Sequence, residues 1–259
     1  MVLVRIATFN ILSGRSPVDD RVDEERFRTA IRRLDADLLG LQEVDRNQPR
    51  SQHADLTAIA AEAMDAPHHL FVAALSGTPG ATWSAATGEE QPDSAAYGIA
   101  FLSRYAVLGW QVVRLPGAPV PVPHRFHGRR LPEWVRDEPR VALVAEVDGP
   151  HGRLDVVTTH LSFLRPWNGR QLRRLVAALS AAAPPARSHP TVLLGDLNMG
   201  PRPAGRLSGM RPLASGPTFP AERPRLQIDH ILASGPLPAA RGQVVQLPMS
   251  DHRALVADV

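Results

Sequence analysis

Residues 191–200 read Thr-Val-Leu-Leu-Gly-Asp-Leu-Asn-Met-Gly, and this stretch carries the first clue to the architecture. A short apolar run closed by turn formers fits a strand buried on both faces. Asp196 and Asn198 follow it, straddling one residue. In extended chain alternate side chains share a side, so the pair can face a single substrate. Each is also an ordinary turn former, so spacing alone leaves both readings open.

Working outward, the same grammar recurs. Residues 3–9 alternate as a strand that ends at Asn10, and Leu38–Leu41 is a short buried run delivering Gln42 and Glu43. Leu154–Thr159 ends at His160, while Asp251 and His252 stand just before a last strand, Arg253–Val259. Asp229 sits among aliphatics in Leu-Gln-Ile-Asp-His-Ile-Leu. A carboxylate there is costly to bury without a partner, and His252 is a candidate for that role. Polar residues at successive strand ends converge on one rim of a sheet, where ligands of α/β folds bind.

Further strands are expected at Tyr97–Leu102, Val107–Arg114, Arg140–Val147, Gln227–Leu232 and Gln243–Leu247. Helices are expected from Asp23, over 54–64 and over Asn168–Ala182. The stretches 76–94, 115–139 and 200–225, rich in Gly, Pro or Arg, read as loops. Strands dominate with helices between them, so the class is α/β with a mixed sheet assembly under helices. No compositional break divides the 259 residues, and one catalytic domain over 1–259 is the expectation.

Composition removes several chemistries. With no cysteine there is no disulfide, thiolate metal site or cysteine nucleophile. All 29 Lys+Arg side chains are arginine, which excludes a P-loop lysine, a Schiff base and a serine–lysine dyad. No apolar run approaches the ~18 residues of a membrane span. The first residues resemble a strand and not a signal peptide, so a cytoplasmic, monomeric protein is expected.

The ordered segments Ile-Ala-Thr-Phe-Asn-Ile, Leu-Gln-Glu-Val-Asp, Tyr-Gly-Ile-Ala-Phe-Leu-Ser-Arg, Thr-Thr-His-Leu, Gly-Asp-Leu-Asn, Ile-Asp-His-Ile-Leu and Ser-Asp-His-Arg resemble the endonuclease/exonuclease/phosphatase superfamily. Each motif is weak alone; the ordered set spans nearly the whole chain. The resemblance implies a four-layered α/β sandwich, two mixed sheets face to face with helices outside. It implies a metal centre of Glu43 with Asn10 and Asp251, and oxygen ligands suit Mg²⁺ or Mn²⁺. It also implies catalytic roles for His160, Asp196, Asn198, Asp229 and His252, with Asp229 fixing the His252 tautomer. Tyr97 and Arg140 are weaker candidates for touching substrate.

The implied activity is metal-dependent hydrolysis of a phosphodiester or phosphomonoester. Phosphoinositide 5-phosphatases carry Pro-Ser-Trp-x-Asp-Arg where this chain has Arg-Leu-Gln-Ile-Asp-His, which disfavours that subfamily. Leu12 departs from the abasic-site endonucleases, leaving a general nuclease open. Arginines and aromatics at 124–136 (His124, Arg125, Phe126, His127, Arg129, Arg130, Trp134, Arg136), with Arg202, Arg206, Arg211, Arg223 and Arg225, suit a polyanion, although in an arginine-only chain they read first as solvated loops; nucleic acid stands slightly ahead of phospholipid or a small phosphate ester. Two rival classes fit the residues less well. A calcineurin-type metallophosphoesterase needs an Asp-x-His near its first strand, which Asn10-Ile11-Leu12 does not supply. A binding protein on the same fold would be expected to lose site positions that this chain keeps.

Overall fold

Alternation places two kinds of side chain on every central strand, and the sheets stack accordingly. The computed structural model describes residues 3–91, 93–125, 130–182 and 189–259. The first half runs β1 (Arg5–Asn10), α1 (Glu24–Leu34), β2 (Leu38–Arg46), α2 (Leu56–Met64), β3 (His68–Gly77), β4 (Trp83–Ala85), β5 (Ala96–Ser103) and β6 (Ala106–Leu115). A small hairpin follows, β7 (Val122–His124) with β8 (Glu133–Val135). The second half runs β9 (Arg140–Gly149), β10 (Gly152–His160), α3 (Trp167–Ala182), β11 (Thr191–Asp196), α4 (Pro201–Ser208), β12 (Arg211–Pro212), β13 (Asp229–Ser234), β14 (Arg241–Val245) and β15 (Ala254–Asp258).

Seven strands form one sheet in the order β14-β15-β1-β2-β5-β3-β4, and six form another in the order β12-β13-β11-β10-β9-β6. Each is mixed: β1 pairs with β2 in parallel and β10 with β11 in parallel, against antiparallel neighbours. The inner faces meet in a core of Ile6, Leu38, Phe101, Val156, Val192, Leu194 and Ile231. Outside the first sheet, α1 and α2 bury Phe27, Ile31, Leu56 and Met64 against Phe9, Leu39 and Leu41. Outside the second, α3 and α4 bury Leu172, Leu175 and Ala204 against Val157, Leu193 and Leu232. This is the four-layered sandwich. No helix among the described residues is long and apolar enough to cross a membrane.

Asp23 caps α1 by accepting from the Arg26 N–H at 2.8 Å, which explains why that helix starts where its apolar period does. Gly40 is required by the sheet contact: a Cβ there would lie 2.6 Å from Thr158 Oγ1 on the facing sheet. Several elements depart from the sequence reading, among them β4 inside the supposed 76–94 loop and β12 inside the supposed 200–225 loop. β3 occupies 68–77, which showed no clear alternation. The 115–139 loop contains the β7–β8 hairpin, and α4 lies inside the supposed 200–225 loop. Phe126, His127 and Arg129 lie outside the described residues.

Candidate active site

The inward face of each central strand runs from aliphatic core to a polar terminal residue. On β1 the series is Ile6, Thr8, Asn10; on β10 it is Val156, Thr158, His160; on β11 it is Val192, Leu194, Asp196. β13 contributes the same series in reverse, Asp229, Ile231, Ala233. Register then places these ends side by side, with His160 opposite Asp196 and Asp196 opposite Asp229. A period of two, continued past the last aliphatic, builds one rim from four strands. Beneath it Thr8 Oγ1 donates to Gln42 Oε1 at 3.1 Å, and Gln42 Nε2 donates to Thr158 Oγ1 at 3.3 Å, joining the two sheets.

Glu43 reaches the rim by a bulge. The β2–β5 register shifts between Gln42 and Val44, and Glu43 takes φ 56°, a left-handed conformation costly for a side chain of this kind. Without the bulge, Glu43 would lie on the opposite face from Gln42. Its Oε1 accepts from Asn10 Nδ2 at 3.0 Å. The same amide donates to Asp196 Oδ2 at 3.2 Å, so Asn10 links two carboxylates. Burial pushes the Glu43 carboxyl up, the Asn10 hydrogen bond and His252 oppose this, and the neighbouring Asp251 adds to it. Two neighbouring, partly exposed carboxylates form a donor set that a hard divalent cation fits.

Asp196 is the centre of the constellation. Its Oδ1 accepts from the Asn198 N–H at 2.9 Å, while Oδ2 lies 3.7 Å from His160 Nε2 and 3.8 Å from His252 Nε2. Burial and the Asp229 charge raise its pKa to about 7, against the pull of His252, the Asn198 N–H and Asn10. Asn198 takes φ 50°, which asparagine tolerates, and its Nδ2 reaches His160 Nε2 at 3.2 Å and the Leu161 carbonyl at 2.9 Å. Asn168, at the start of α3, holds the Asn198 carbonyl at 2.8 Å.

The two histidines are driven in opposite directions. His160 is pushed well down by burial, then by the Arg140 cation and His252, and is therefore neutral. Arg140 NH1 lies 3.3 Å from its Nδ1; since guanidinium only donates, that nitrogen accepts. His252 Nδ1 lies 2.9 Å from Asp229 Oδ2. Burial alone would lower His252, but Asp229, by charge and hydrogen bond, and then Asp196 and Asp251 lift it to about 10. Asp229 is wholly buried and its Oδ1 has no hydrogen-bond partner among the described residues.

Asp196, Asp229 and His252 offer ligand atoms within 4.8 Å of one another, a geometry that also suits a metal. His252 Nδ1 is already committed to Asp229, and a dication beside it would oppose the imidazolium those carboxylates stabilise. Glu43 and Asp251 are partly exposed, whereas that trio is buried.

All eight principal candidates thus stand on or beside one rim. Tyr97 is buried beside it: burial, then Glu43, raises its hydroxyl well above the usual range, with Arg140 opposing. Arg140 is buried, with NH2 3.5 Å from Glu138 Oε2. The other arginines are dispersed in role: Arg136 Cζ lies 4.6 Å from the Trp83 ring centroid, and Arg211 donates to the Leu237 carbonyl. Sequence reasoning missed Ser250, whose Oγ donates to the Asn10 carbonyl at 2.6 Å and accepts from the His252 N–H at 3.1 Å. It also missed Phe219, whose ring centroid is 4.9 Å from that of His252. Ser250 had a signal, its place before Asp251-His252; Phe219 had none.

Residues 7–252 match the Endonuclease/Exonuclease/phosphatase family. No curated protein matches the chain. Among solved structures, an endonuclease/exonuclease/phosphatase from Beutenbergia cavernae is similar, at 25% identity and TM-score 0.69, covering 100% of this chain and 71% of that one. Truncated TDP2 of Caenorhabditis elegans shares the fold at 17% identity and TM-score 0.62, covering 99% of this chain and 96% of that one. The mannosyl-6-phosphatase of Bacteroides thetaiotaomicron does so at 15% identity and TM-score 0.64, covering 99% of each.

Proposed function

The chain belongs to the Endonuclease/Exonuclease/phosphatase family, and from that premise we propose that it hydrolyses phosphoester bonds with a bound divalent metal. One observation carries the reading: Asp196 Oδ2 lies 3.7 Å from His160 Nε2 and 3.8 Å from His252 Nε2 and is tied through Asn10 to Glu43.

Glu43 and Asp251 would hold Mg²⁺ or Mn²⁺, with Asn10 fixing Glu43 in place. When bound, such an ion supplies positive charge to a phosphoryl oxygen. Asp196 takes a proton from the attacking water, since a base titrating near the working pH is the most effective. Asn10 and the Asn198 N–H aim its two oxygens. His252, kept protonated by Asp229, presents Nε2–H to a phosphoryl oxygen and offsets the charge that develops there. Neutral His160, anchored by Arg140, presents Nε2 on the other flank, with the Asn198 amide beside it. Tyr97 and Arg140 close the site behind Glu43 and exclude water from that side.

The similarity to a structure named as a phosphatase supports ester hydrolysis, while the arginine-rich stretches are the support for a nuclease. The test is release of p-nitrophenolate from bis-p-nitrophenyl phosphate. Activity should require Mg²⁺ or Mn²⁺, disappear with chelator and return on re-addition. Turnover indifferent to chelator would remove the metal from the account.

A further inference from the structure

Directly beside the rim a cleft of about 1020 Å³ opens between residues 16–18, 219–226 and 246–251. It shares two groups with the site: Asp251 lines it, and Phe219 stands between it and the His252 ring. Its exposed lining is mostly carbon, with Glu222, Arg223, Arg225 and Gln246 among the polar groups around it. Val18 is 89% exposed and Leu226 54% exposed, while Phe219, Leu247 and Met249 line the space between them. These walls are also preformed. Phe219 and Leu226 exchange backbone hydrogen bonds at 2.9 Å, the Ala221 N–H donates to the Asp251 carbonyl at 2.6 Å, and Arg253 Nε donates to the Ala221 carbonyl at 2.8 Å. The Ser250 N–H ties the segment to the Arg15 carbonyl at 2.9 Å. Large apolar groups held open to water in a fixed concavity mark a ligand groove.

Resting on the phosphoesterase reading, we propose that this cleft is a subsite for the hydrocarbon part of the substrate, so that the enzyme takes amphiphilic phosphodiesters. The ester oxygen lies at the rim and the chain runs over Phe219 towards Val18 and Leu226. Exposed Arg223 and Arg225, which form no ion pair with the described residues, line the same cleft and suit the anionic surroundings of such head groups. The mostly carbon surface favours a hydrocarbon chain over a nucleobase, whose ring donors and acceptors would lose more water there. The cavity of about 510 Å³ beside Arg140 is half the size and sets Arg114, Arg136 and Asp137 among apolar residues.

The experiment uses the full chain and two readouts. Hydrolysis of p-nitrophenyl alkyl phosphodiesters from methyl to octyl is followed with Mg²⁺, with thymidine p-nitrophenyl phosphate alongside. Binding of methyl- to octylphosphonate, which cannot be hydrolysed at the P–C bond, is measured by calorimetry. Each added methylene should raise kcat/KM and affinity by roughly fourfold until the cleft is filled. The octyl-to-methyl ratio should fall at least tenfold in Val18→Asp and Leu226→Glu, both exposed positions whose folding is checked by Tm. Chain-length independence in hydrolysis and binding overturns the subsite, as does a thymidine ester preferred over the octyl ester. Chain-length-dependent binding without turnover of any ester would keep the subsite and sink the phosphoesterase reading instead.

Discussion

Replacing Asp229 by Asn removes one charge at constant volume, and its consequence is set by His252. The imidazole is held near pKa 10 although burial pulls it down, and Asp229 is the largest of the groups that lift it. At about 1.4 kcal/mol per tenfold change, the carboxylate's contribution is on the order of a few kcal/mol. Asn offers a neutral acceptor to Nδ1–H, so in Asp229→Asn the His252 pKa should fall to neutral or below. At pH 7.5 most of the enzyme then lacks the imidazolium, and the remaining ring is free to choose the wrong tautomer. Turnover should drop by about 10²–10⁴, the range associated with one positioned proton donor. The assay pairs bis-p-nitrophenyl phosphate hydrolysis with NMR titration, the His252 signal among the ten histidines being assigned from His252→Gln. A His252 that titrates as before, or turnover within tenfold of the parent in a folded variant, would refute the reasoning.

Other predictions follow from the same geometry. Glu43→Gly should lose at least 10² in turnover while the metal-free Tm holds or rises, since glycine accepts φ 56° and a raised carboxyl is removed; a large Tm loss would contradict the strain argument. Above about pH 6.5, where the lowered His160 and His230 no longer add stability with pH, metal-free stability should fall as pH rises. His252, raised from 6.5 to about 10, contributes fully below 6.5 and is lost through 10; Asp196, raised from 3.8 to about 7, contributes fully below 3.8 and is lost through 7. Tm in chelator should therefore decline between about pH 6.5 and 10, and a flat or rising profile would count against these shifts. Gly40→Ala should cost about 1–3 kcal/mol, because its Cβ meets Thr158 Oγ1 on the opposite sheet; urea unfolding within experimental error of the parent would show that the sheets relax freely there.

What was legible in the sequence was whatever alternation and strand ends encode. Val192-Leu193-Leu194 carried both the buried strand and the polar residues beyond it, because continuing a period of two past the core leads straight to the rim. Asp229 was legible as a group in need of a partner, since buried charge is expensive wherever it lies. The β3 strand was not: His68-His69-Leu70-Phe71 is only half-buried while Val72–Leu75 is apolar throughout, so no alternation shows. α4 was hidden by Pro201 and Pro203, breakers in a helix interior but harmless in its first turn, where no N–H is needed. The Glu43 bulge could not be read either, as it depends on the β5 register and not on local composition. Phe219 meets His252 from a loop 33 positions before it in the chain, a contact that only the tertiary fold creates.

The measurement that bears most directly on the account is Mn²⁺ occupancy read by electron paramagnetic resonance in parallel with hydrolysis of bis-p-nitrophenyl phosphate. The parent chain should bind the ion with a rate that tracks occupancy, and Glu43→Gln should weaken both together. Undiminished Mn²⁺ binding and turnover in Glu43→Gln would contradict the placement of the metal and, with it, the site as a metal-dependent phosphoesterase centre.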